Sequence, residues 1–136
     1  MIQQGFSIGE RDWYVMCFYD VFSADDLDEV KKTLLSAGCS RGRAEEAVWV
    51  LSMPNKGYTF SNLGDKFSIV IVSRATSASQ AYDSVHHEVK HLTEHICEVY
   101  GVGSRSEEAA YLQGEIGRLM FPAAAMLFCP HCYNER

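Results

Sequence analysis

The sequence predicts an α+β domain built on a small sheet. Three observations carry this. Two runs rich in aromatic and β-branched residues, 13–22 and 66–75, read as strands, with two segments of helical spacing between them. From about residue 77 the apolar period becomes helical and stays so almost to the end. The 136 residues are 47% hydrophobic, enough for one packed core in a single domain spanning 1–136.

Taken in order, "WYVMCFYDVF" (13–22) is apolar throughout and predicts a buried strand, with Cys17 as a small buried hydrophobe. "SADDLDEVKKTLLSAG" (23–38) predicts a helix. Ser23 suits its N-cap, acids fill its first turn, and Leu27, Val30, Leu34 and Leu35 form one apolar face before Gly38. "RAEEAVWVLSM" (43–53) predicts a second helix, stopped before Pro54. "NKGYTFSNLGD" (55–65) is rich in turn residues and holds a short strand around Tyr58–Phe60. "KFSIVIVSRA" (66–75) is the strongest strand signal in the chain. A long helix then runs from about Ser77 to Gly101, with Val85, Val89, Leu92, Ile96 and Val99 as its stripe. After the turn "VGSRS", a second long helix covers roughly 106–121 and packs back antiparallel as an αα-hairpin. Pro122 is placed to open one more short helix through Phe128.

Charge narrows the function classes. Eighteen acidic residues against twelve basic ones give a net charge of −6, and no basic face is visible, which argues against nucleic acid as a partner. No apolar run approaches the ~18 residues that span a membrane, and "MIQQGFSIGERDW" lacks the pattern of a signal peptide. The expectation is a soluble, cytoplasmic protein. Its odd number of cysteines, five, fits reduced thiols better than a disulfide framework.

The chemistry concentrates in "SVHHEVKHLTEH" (84–95), where four of the five histidines fall. Residues 87–91 read His-Glu-Val-Lys-His, an HExxH inside a predicted helix. Histidines at i and i+4 project from one face, so both rings can meet one Zn2+ at about 2.0–2.1 Å. On this pattern His87 and His91 are metal ligands. Glu88 stands beside the metal as general base for a zinc-activated water. The plainer alternative is a solvated, histidine-rich helix face. His95 continues the row, but it rises roughly 12 Å above His87 along the axis, too far to share one tetrahedral ion. It and His86, turned about 100° aside, are bystanders.

A catalytic zinc site takes a third protein ligand. Glu107, Glu108 and Glu115 on the following helix are the candidates. Glu107 also fits a capping box, Ser104-Arg-Ser-Glu107, at the start of that helix. Asp83 and Glu115 could instead accept from a ligand ring, and Tyr111 could pack in the core or stabilise an oxyanion.

HExxH followed after a short turn by "EEAAYLQGEI" resembles the gluzincin arrangement of zincin metallopeptidases. In particular it is similar to short HExxH proteins of phage and mobile elements, whose second helix carries Glu-x-x-Ala-Tyr. The match covers roughly residues 66–121. The resemblance implies a compact zincin-like domain, a peptide or protein substrate, and a third ligand four residues before Tyr111. That is Glu107, with Glu108 the near alternative. The chain departs from the large gluzincins in spacing, with only fifteen residues between His91 and Glu107. The resemblance also raises strand 68–73 as an edge strand above the metal that would pair with extended substrate; an ordinary core strand is the alternative.

The resulting expectation is a zinc-dependent metallopeptidase working through His87, His91, Glu107 and Glu88. The competing expectation is a non-catalytic zinc-binding accessory protein on the same scaffold. "FCPHCYNER" adds a C-x-x-C at Cys129 and Cys132, a spacing that serves zinc or thiol–disulfide chemistry or belongs to two inert tail thiols.

Overall fold

The computed structural model describes residues 1–134, apart from the side chains of Glu10 and Asn134. Its centre is a four-stranded mixed sheet: β1 (Ile2–Ile8), β2 (Trp13–Val21), β3 (Gly57–Asn62) and β4 (Phe67–Ser73). The strand order is β1-β2-β4-β3. β1 and β3 run antiparallel to their neighbours, and β2 and β4 are parallel. Helices α1 (Ala24–Ser36) and α2 (Arg41–Leu51) cover one face; α3 (Ala78–Tyr100) and α4 (Glu107–Ala124) cover the other. A 3-10 turn and the short α5 (Pro130–Asn134) follow. The predicted α+β class with a small sheet is observed.

Side-chain alternation along the strands builds both cores. Trp13, Val15, Cys17 and Tyr19 of β2, with Val70 and Val72 of β4, pack against Val89, Leu92 and Ile96 of α3 and Ile116 and Met120 of α4. Phe18, Ile69 and Ile71 point the other way, onto Val30 and Leu34 of α1 and Ala44, Ala47 and Leu51 of α2. Cys17 is fully buried, as its apolar surroundings predict, and burial pushes its thiol up to about 12.

Helix ends follow their capping chemistry. Ser23 accepts from the Asp26 amide and Asp26 returns the bond to Ser23, a complete capping box. Ser77 caps α3, and Gly101 ends it in the left-handed conformation at φ 66°. Two expectations need correction, and one strand was missed. α4 starts from Ser106, whose hydroxyl takes the Ala109 amide, so Glu107 is the first helical residue and no box reaches back to Ser104. Pro122 does not open a new helix but lies within the last turn of α4. The N-terminal strand β1 was not legible. Its Gln4 interrupts the apolar face, yet that side chain donates to the Leu119 carbonyl of α4 and accepts from the Tyr19 hydroxyl, so the polar residue is satisfied where it sits.

β4 is an interior strand, paired on both sides. The expected edge beside the HExxH helix is therefore β3, not 68–73, because the hairpin 57–73 folds outward and leaves β4 against β2. No helix is long and apolar enough to cross a membrane among the described residues.

Candidate functional site

α3 is 23 residues long and amphipathic, and its HExxH lies in the middle, where the backbone is fully hydrogen-bonded and rigid. The helix lies over β3 as well as over the core. β3 alternates cleanly: Tyr58 and Phe60 turn toward α1 and α2, while Gly57, Thr59 and Ser61 turn toward α3. That second set is small and polar, and it meets the polar side chains of α3.

Glu88 is the centre of this strip. It is 3% exposed, and Thr59 Oγ1 donates to its Oε1 at 3.0 Å. Burial pushes its carboxyl above the usual carboxylate range, against the opposing pull of the Thr59 bond and the neighbouring His87 and His91. A methyl group on Gly57 would lie 2.6 Å from both Oε2 and Cγ of Glu88, so this strand position has room only for glycine. Glu88 Oε2 stands 4.0 Å from His87 Nε2.

His87 and His91 converge. Their Nε2 atoms are 3.1 Å apart and their rings are set edge to face, on the exposed side of the helix. Two nitrogen ligands on one tetrahedral zinc at about 2.0–2.1 Å would stand about 3.3–3.4 Å apart, so the pair fits two positions of such a site within a few tenths of an ångström. The same approach suits a direct imidazole–imidazole hydrogen bond. Among the described residues no group of three or more His, Cys, Asp or Glu stands together to hold a metal. A hollow of about 260 Å3 opens beside His87 and Glu88, with Asp83, Asn55 and Gly57 on its walls.

His95 is half-buried and engaged elsewhere. Its Nδ1 lies 2.7 Å from Ser61 Oγ, which lies 2.7 Å from Ser68 Oγ, which accepts from Trp13 Nε1 at 2.8 Å. This chain runs from the buried indole to the helix surface. Burial, with His91 beside it, holds the His95 ring below the ordinary histidine range. His86 packs against Tyr82, ring centres 4.1 Å apart, away from the pair.

The acids of α4 lie on a different side. Glu108 pairs with Arg11 at 2.7 Å. Glu107 and Glu115 line a hollow with Arg11 and Tyr111, and Glu115 Oε1 approaches Gly9 in the turn between β1 and β2. The structure thus brings together His87, His91 and Glu88 and does not bring Glu107 to them. Tyr111 is 73% exposed, which removes its expected core role. Cys129 and Cys132 are exposed thiols at the start of α5. Gly57, Thr59 and Ser61 went unnoticed in the sequence; the alternation in "GYTFSN" was the available signal. No protein-family model, no curated protein and no solved structure matches the chain.

Proposed function

We propose that the chain is a zinc-dependent metallopeptidase of zincin-like design, with His87 and His91 as two of the metal's ligands and Glu88 as general base. The observation that supports it most is the convergence of the two Nε2 atoms at 3.1 Å beside a buried carboxylate. A bound zinc would supply a water of lowered pKa and polarise the scissile carbonyl. The protein's part is positioning and proton handling. The rigid mid-helix backbone fixes the spacing from which both rings project. Thr59 and Gly57 hold Glu88 in one place, and its raised pKa suits a group that takes a proton and returns it to the leaving amine. β3, at the edge of the sheet and alongside α3, supports an extended peptide as substrate through strand addition.

The Thr59–Glu88 bond favours a second reading as well. A carboxylate pinned between helix and strand also suits a buttress, as in a non-catalytic zinc-binding accessory protein. Glu88→Gln separates the two. It keeps the size of the side chain and an acceptor for Thr59. A peptidase would lose about 10^2–10^4-fold in kcat on an unstructured protein substrate while retaining zinc. Zinc-loaded wild type with no turnover above that of Glu88→Gln would leave the accessory reading.

A further inference from the structure

A second feature lies away from the histidines, at the carboxyl ends of the two parallel strands. β2 leads into α1 on one face of the sheet, and β4 leads into α3 on the other. Where neighbouring parallel strands send their helices to opposite faces, a crevice opens between the connections, and ligands of open α/β sheets bind there. In this chain that crevice is a cavity of about 320 Å3, within the range of small-molecule sites, about 300–1,000 Å3. Val21, Leu51, Met53 and Ala75 give it an apolar wall.

Three further observations converge on it. First, β2 is bulged. Phe18 pairs with Ile71 and Val21 with Ser73, so β2 spends one extra residue. Asp20 takes that position at φ 58°, a conformation that non-glycine residues adopt at a cost. The bulge turns Val21 to the α1–α2 side, although it is an odd-numbered residue like Trp13, Val15, Cys17 and Tyr19, which face α3. It also sets Asp20 Oδ1 3.3 Å from Arg74 Nε. Second, Arg74 lines the cavity with its guanidinium stacked 3.8 Å over the ring of Phe22, which is 59% exposed. With Asp20 on Nε, the two Nη nitrogens are the donors that a carboxylate would meet. Third, the wall is held in place. Asn55 bonds the Thr76 amide and hydroxyl, the Asn55 amide donates to the Arg74 carbonyl, and Ser73 Oγ donates to the Met53 carbonyl. That wall of the cavity is therefore preformed.

We propose that this crevice binds small monocarboxylates with an apolar body, the body on Val21, Leu51 and Met53 and the carboxylate on Arg74. The site is independent of the zinc reading. The test is an amide NMR titration of the full chain with octanoate and, separately, with octanol. The expected result is saturable movement of the Phe22, Arg74 and Thr76 amides, with octanoate binding at least ten times tighter than octanol. Arg74→Gln removes that preference. Ser52→Phe, an exposed wall position, weakens both ligands at least tenfold. Absence of saturable shifts at these amides overturns the site. Octanol binding as tightly as octanoate overturns the carboxylate assignment, and shifts unaffected by Ser52→Phe place the binding elsewhere and overturn the proposal.

Discussion

The two faces of β3 obey opposite rules. Tyr58 and Phe60 join an apolar cluster with α1 and α2, where packing dominates and the Tyr58 hydroxyl also meets Arg43. Gly57, Thr59 and Ser61, one residue out of step, meet Glu88 and His95 of α3 through close approach and hydrogen bonds. Six residues of one edge strand therefore carry a structural face and a chemical face. The difference shows where this fold gives up stability for arrangement. A buried carboxylate and a half-buried serine bonded to a buried one contribute less to folding than apolar side chains of the same volume, and they are satisfied only if every partner is present.

Substitutions on β3 break this comparison with graded effects. Phe60→Ala, on the apolar face, should cost the most, about 3–5 kcal/mol in denaturant unfolding, with zinc binding per folded molecule unchanged. Thr59→Val, on the chemical face, keeps the volume but removes the donor to Glu88. A cost of about 1–3 kcal/mol is expected, and a mobile Glu88 should lower turnover as well. A loss of stability with unchanged turnover would mean that the Thr59 bond matters only for folding. Gly57→Ala should cost about 1–3 kcal/mol by overpacking against Glu88. Gly114, exposed in α4 with nothing near its missing Cβ, gives the opposite sign: Gly114→Ala should stabilise by about 0.5–1 kcal/mol. Equal effects at the two glycines would contradict the close fit of Gly57 to Glu88.

The same contrast separates what the sequence reveals from what it hides. α3 is legible because its stripe repeats over six turns and both ends carry strong caps, Ser77 and Gly101. Val99 alone departs from the stripe; it lies in the last turn and is partly exposed. The convergence of His87 and His91 is equally local, set by i and i+4 spacing on one helix. What failed was nonlocal. Which strand is the edge depends on pairing order, and strand 66–75, the most β-like in composition, went to the interior. The partner of His95 is Ser61, 34 residues away. The position of Glu107 depends on how α4 is rotated about its axis, and that is set by Leu112, Ile116 and Met120 entering the core. Those residues carry the first turn's acids toward Arg11. Spacing from HExxH alone contains none of this.

The central claim is that α3 holds one zinc through His87 and His91. Calorimetric titration of zinc into the purified, metal-stripped chain tests it most directly, with Cys129→Ser/Cys132→Ser as background to exclude the tail thiols. One zinc per chain is predicted, weakened about 100-fold or more by His87→Ala or His91→Ala and changed less than twofold by Glu107→Ala. A tenfold loss in Glu107→Ala would bring that residue into the ligand set after all. Absence of stoichiometric zinc, or zinc binding indifferent to both histidine substitutions, would contradict the account.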